Sequence, residues 1–191
     1  YGVESLEIST GEDETVVNVR GTSATTTITT QASDDFVFIS SEANQDETNA
    51  ASVDVLLGWL DYLERDLTVY LNGGRHRLLM SDEASSIAKG TTETPVHLQA
   101  ASLTEIASNL GEIYFTADGG NWNAGLNLWL SKEDDVLKVT SIASVPSSTG
   151  KQSTTVIHAG TGDDTLTITL DQETHGAAVF LANGTGERDT T

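Results

Sequence analysis

Two pairs of adjacent carboxylates recur in the second half of the chain, Asp134/Asp135 and Asp163/Asp164, and the second pair follows Gly160 and Gly162. Carboxylates and backbone carbonyls are the hard oxygen donors that calcium takes, roughly six to eight at 2.3–2.6 Å. One turn cannot supply such a shell. A calcium site would need the two pairs stacked, Asp134/Asp135 under Asp163/Asp164. The plainer reading is a solvated acidic turn. That is the first expectation, with no cofactor required and calcium as the alternative. No D-x-[DN]-x-[DN]-G loop of the EF-hand kind occurs.

Other chemistry is sparse. The only basic cluster is Arg75, His76 and Arg77 in NGGRHRLLM. A base beside acids on a flat β face could cleave polysaccharide. Within one turn, pairing with neighbouring acids is simpler. His76, His97, His158 and His175 are scattered without metal-ligand spacing. There is no G-x-S-x-G elbow and no phosphate loop. These absences predict a protein that is not an enzyme. Trp59, Trp122 and Trp129 offer rings for sugar stacking, but buried packing is the expected role. SATTTITT suggests a Thr array of the ice-binding kind, yet T-x-T recurs only in part, in STTVI. Asn183-Gly184-Thr185 is a glycosylation acceptor if a eukaryote secretes the chain, and otherwise a bare turn.

The chain has 191 residues, enough for one sizeable core. It has no Cys, which excludes disulfides and thiol chemistry. Lys plus Arg is 9 against 29 Asp plus Glu, a formal net charge of −20. Nucleic acid and anionic membrane would be repelled, so neither is an expected partner. No apolar run reaches the roughly 18 residues of a membrane span. The acidic, Cys-free, Thr/Ser/Gly-rich composition predicts an extracellular or cell-surface location. The start YGVESLEIST has neither an initiator Met nor a signal peptide, which suggests a piece of a longer chain.

The elements that position these residues repeat. LEISTGEDETVVNV (Leu6–Val19) aligns without a gap with LNLWLSKEDDVLKV (Leu126–Val139), and TITTQASDDFVFI (Thr27–Ile39) with VIHAGTGDDTLTI (Val156–Ile168). LTVYLNGGRHRLLM (Leu67–Met80) is a fifth copy. Each has an apolar residue, another nine positions on, and a third two further: Ile8/Val17/Val19, Ile28/Val37/Ile39, Val69/Leu78/Met80, Leu128/Leu137/Val139 and Ile157/Leu166/Ile168. A period of two puts these side chains on one face of a strand. One strand–turn–strand cannot bury its own face, whereas stacked copies can. The predicted fold is all-β, a right-handed parallel β-helix or β-roll solenoid forming a single module over 1–191. Its duplicated rung pairs are 6–39 and 126–168. An antiparallel β-sandwich is the competing architecture. The apolar spacing of Val53, Leu56, Leu57, Leu60 and Leu63 predicts a helical insertion at about 48–66, and Ser102–Gly111 reads as a shorter helix.

Ala159–Thr167, AGTGDDTLT, resembles the G-G-x-G-x-D-x-U-x nonapeptide of hemolysin-type (repeats-in-toxin) calcium-binding proteins, with Ala159 in place of the first Gly. GVESLEI, TGEDETVVNV, ATTTITTQASDDFVFI and LTVYLNGG follow, more loosely, a repeat of very large extracellular proteins related to that group. In the family, glycine carbonyls and Asp carboxylates of successive turns hold calcium. The matching acidic position here is Asp35, Asp135 and Asp164, but Thr15 and His76 occupy it elsewhere. The resemblance implies a surface, adhesive or filamentous role.

The expected function is thus a non-enzymatic structural building block of an extracellular filament, surface layer or adhesin. Strands at both chain ends, with both helix candidates internal, predict end-to-end association with itself or with neighbouring modules of one chain. The alternative is a calcium-dependent polysaccharide-binding or -cleaving β-helix, which makes polysaccharide the second candidate partner.

Overall fold

The computed structural model describes residues 2–107, 111–143, 153–170 and 177–183, the last stretch by its backbone. The chain alternates between two sheets. One contains β1 (Ser5–Ser9), β3 (Thr25–Thr29), β5 (Leu67–Leu71), β7 (Val96–Gln99), β8 (Ser102–Thr104), β9 (Ile113–Ala117), β11 (Val136–Val139) and β13 (Thr165–Ile168). The other contains β2 (Val16–Val19), β4 (Phe36–Ile39), β6 (Arg77–Ser81), β10 (Leu126–Trp129), β12 (Ser153–Gly160) and β14 (Ala177–Asn183). The first sheet is ordered β1-β3-β5-β9-β8-β7-β11-β13 and the second β14-β12-β10-β6-β4-β2.

The apolar triplets pair in register. Ile8 lies beside Ile28, and Ile28 beside Val69. Val37 and Ile39 sit between Val17/Val19 and Leu78/Met80. Leu128 lies between Met80 and Ile157. Apart from Ile8 on the terminal strand, these side chains meet between the sheets in one cluster that runs from Val19 to Ile157, with Val17 packed against it. The copies are not equivalent in place. Units starting at Ile8, Ile28 and Val69 cross from the eight-stranded to the six-stranded sheet, whereas those starting at Leu128 and Ile157 cross back. Both crossings need the same strand–turn–strand, so the same spacing serves both.

The predicted right-handed parallel β-helix or β-roll with inserted helices is corrected by this architecture. The six-stranded sheet is parallel, but the eight-stranded sheet is mixed: β8 runs antiparallel to both β7 and β9. After β6 the chain enters the larger sheet three places beyond β5, leaving room for two strands. It doubles back through β8 and fills the gap with β9 before crossing to β10. Ser102–Gly111 therefore opens with a strand where a helix was expected, Leu103 and Ile106 are fully buried, and residues 108–110 lie outside the described part.

Among the described residues, the only helical piece in the predicted insertion at 48–66 is a 3-10 turn, Ala50–Ser52. The reason lies in which core each residue serves. Leu56 joins Phe36, Phe38, Leu79 and Trp129 in a second cluster, with Val53 packed against it. Leu60 and Leu63 enter the cluster between the sheets. A helix would hold Leu56, Leu60 and Leu63 on one face; here the segment passes from one side of the smaller sheet to the other.

Candidate functional site

The structure stacks the two acidic turns predicted from sequence. Asp135 is 1% exposed and Asp164 4%. The Asp135 N–H donates to Asp164 Oδ1 (2.8 Å). Asp135 Oδ1 accepts from the Lys89 N–H at 2.5 Å, and Oδ2 from the Ser131 N–H at 2.8 Å. The Ser131 hydroxyl donates to the same carboxylate. Burial pushes the Asp135 carboxyl above its ordinary value, against these hydrogen bonds. The exposed partner in each pair reaches the other way: the Asp163 N–H donates to Asp134 Oδ1 at 2.9 Å.

The opposite edge repeats the device. The Thr15 N–H donates to Asp35 Oδ1 (3.1 Å) and the Asp35 N–H to His76 Nδ1 (3.3 Å). The Arg75 N–H donates to Asp34 Oδ1 (2.8 Å) and holds the Asp34 carboxyl below its ordinary value. A paired acid thus clamps both neighbours, its buried member capping the turn before it and its exposed member the turn after. Turn N–H groups without a strand partner need such acceptors.

The glycines of AGTGDDTLT follow from the same packing. Gly160 has φ +91° and Gly162 φ +121°, where other residues are strained. A Cβ on Gly160 would lie 2.0 Å from the Ser131 carbonyl oxygen, and one on Gly162 2.7 Å from that of Glu133. Thr161 donates to the Lys132 carbonyl at 3.0 Å. Asp134, Asp135, Gly160, Gly162, Asp163 and Asp164 thus come together, and the carboxylates of Asp134, Asp135 and Asp164 accept backbone N–H groups. Among the described residues no group of three His, Asp or Glu side chains is placed to hold a metal ion.

The basic cluster divides three ways. Exposed Arg75 pairs with Asp34 at 3.0 Å. His76 is fully buried, donates through Nε2 to the Asn72 carbonyl and accepts at Nδ1, which assigns the neutral ring; burial lowers its pKa. Arg77 holds the Ala50 and Val53 carbonyls at 2.9 and 2.5 Å, fixing the loop over the smaller sheet. His158 stacks on Trp129 at 4.5 Å, and burial lowers its pKa too. His175 lies outside the described residues. Trp122 packs edge-on to Phe115 within the core. Asn183 ends β14 beside Gly160, while Gly184 and Thr185 of its acceptor triplet lie outside the described part.

Sequence reasoning missed one ionic cluster. Lys89, 4% exposed, sits 2.6 Å from Asp61 and 3.3 Å from Asp82. Asp82 is fully buried, also accepts the Leu60 N–H at 2.7 Å, and is pushed up to about 6 by burial. It ties the 53–66 segment to the β6–β7 connection. No spacing rule joins residues so far apart, although Lys89 is one of only 9 cations in the chain.

No family model matches this chain, and neither does any curated protein or solved structure. The resemblance to hemolysin-type repeats rests on the motif residues alone.

Proposed function

We propose that this chain is a non-enzymatic structural module, a building block of an extracellular filament, surface layer or adhesin, that associates end to end. The observation that carries this reading is the exposure of core-facing residues on the terminal strand. Ile8 is 39% exposed and Leu6 46%, whereas Ile28 and Thr26, beside them in register, are 1% and 6% exposed. At the far edge of the same sheet Ile168 and Leu170 are 41% and 40% exposed.

Among the described residues both sheets finish together, β1 with β2 at one end and β13 with β14 at the other. All four pair in parallel with their inner neighbours. A like unit added head to tail would continue both sheets with the same polarity and cover the open apolar residues. That unit is a second copy or a neighbouring module of one long chain. The charge of −20 opposes close approach, and salt shortens the reach of that repulsion. The acidic, Cys-free composition supports the extracellular setting, and the capping role of the buried acids supports a fold that needs no cofactor.

Electron microscopy and light scattering at rising protein and salt concentration test the reading. Linear particles that lengthen with both are expected. Particles that stay monomeric throughout, or that join through lateral faces, would refute it.

A further inference from the structure

The outward face of the eight-stranded sheet plays no part in the association above. β3 turns Thr25, Thr27 and Thr29 outward, opposite the buried Thr26 and Ile28. In register beside them, Thr68 and Tyr70 follow on β5, then Tyr114 and Thr116 on β9. Tyr70 is 47% exposed and Tyr114 38%. Neither ring is needed for the core, which the alternate residues Leu67, Val69, Leu71, Ile113 and Phe115 fill. The Tyr114 hydroxyl donates to Glu112, whose carboxylate pushes the phenol up to about 12, so this ring stays neutral. Beside Tyr70 lies a shallow groove of about 580 Å³ lined by Thr29, Asn72, Thr116 and Asp118.

We propose that this face, centred on Tyr70 and Tyr114, binds a neutral polysaccharide. The rings offer flat apolar surfaces for the C–H faces of sugar rings. The Thr hydroxyls, the Asn72 amide and the Asp118 carboxylate offer the donors and acceptors that sugar hydroxyls require. Such a groove, part apolar and part hydrogen-bonding, is the usual composition of a ligand site. Charge selects the occupant. Tyr70, Thr29, Thr68, Thr116 and Asn72 are uncharged, and the acids at this face, Asp118 in the groove and Glu112 on the Tyr114 hydroxyl, are too few to line a path for a polycation. An anionic chain would meet the field of a −20 protein. An ice lattice would need an unbroken hydroxyl array, and Tyr70 and Tyr114 interrupt it. Successive parallel strands about 4.8 Å apart place these side chains in rows across β3, β5 and β9, a continuous strip for an extended polymer.

Affinity electrophoresis of the whole chain in gels containing hydroxyethyl cellulose, galactomannan, dextran or alginate tests this. Retardation by at least one of the three neutral polymers and none by alginate is expected. Tyr70→Ala should weaken the retarding interaction about tenfold, and Tyr70→Phe should keep most of it. Tyr62→Ala removes a ring that is 56% exposed elsewhere and should change nothing. Circular dichroism should show every variant folded, because these rings point outward. No retardation by any neutral polymer, retardation by alginate alone, or equal loss with Tyr62→Ala would overturn the proposal.

Discussion

Asp135→Ala tests the capping account at its most buried point. The substitution removes the acceptor of the Lys89 N–H at 2.5 Å and of the Ser131 N–H at 2.8 Å. Lys89 is 4% exposed and Ser131 fully buried, so water cannot take over. Each orphaned buried donor costs about 1–3 kcal/mol. Relief of a carboxylate that burial disfavours offsets part of the loss. The net expectation is about 3 kcal/mol, or roughly 6–12 °C in melting temperature for a chain of this length. Asp134→Ala removes one exposed acceptor, of the Asp163 N–H, and should cost under about 1 kcal/mol. Asp135→Asn keeps one carbonyl acceptor and should fall between the two. Urea unfolding followed by circular dichroism and Trp fluorescence supplies the numbers. If Asp135→Ala and Asp134→Ala destabilise equally, the buried acid is not the cap argued for here.

Val37→Asp or Leu137→Asp should abolish folding, because each side chain is at most 1% exposed and an unpaired charge there costs several kcal/mol; a folded variant by circular dichroism would contradict the register. The Asp82 carboxyl is raised in the fold from 3.8 to about 6, so its contribution to stability is fully present below about pH 4 and is lost as pH rises through 6. Buried His76 and half-buried His158 act oppositely, their contribution falling away below about pH 6.5. The stability difference between the chain and Asp82→Asn isolates the acid and should change by about 3 kcal/mol between pH 4 and pH 7; a flat difference would refute the assignment. Millimolar calcium and a chelator should both leave the melting temperature unchanged, whereas a rise with calcium that Asp164→Ala abolishes would place an ion in the turn.

The triplets were legible because a period of two and a fixed turn length are local properties. Val37, Leu78, Leu128 and Leu137 all lie where that spacing puts them, inside. Which sheet each unit starts from was not legible, since Leu6–Val19 and Leu126–Val139 share a pattern but cross in opposite directions. The helical reading of 48–66 failed because apolar spacing reports burial and not which core receives each residue: Leu56 and Leu60 serve different ones. The meander hid because Ser102–Thr104 is too short to show alternation. At the candidate site, the acid pairs were visible, and the structure sets the two turns side by side. Their partners are backbone N–H groups, which no side-chain pattern reveals. Tyr70 and Tyr114 become neighbours on one face only through the β5–β9 pairing, across sequence that contains the whole β6–β8 excursion.

End-to-end association can be tested covalently, since the chain has no Cys of its own. Glu7 points outward from β1 and Thr167 outward from β13, at opposite edges of the eight-stranded sheet. Seven strand spacings of about 4.8 Å, roughly 34 Å, separate them within one molecule, far beyond the reach of a disulfide of about 4–7 Å between Cα atoms. Paired head to tail, β13 of one copy and β1 of the next would bring them side by side. Oxidation of Glu7→Cys/Thr167→Cys at high protein and salt should give a ladder of covalent multimers on a denaturing gel, with single-cysteine variants stopping at dimers. Monomers alone from the double variant, or a ladder no longer than the single variants give, would contradict the account.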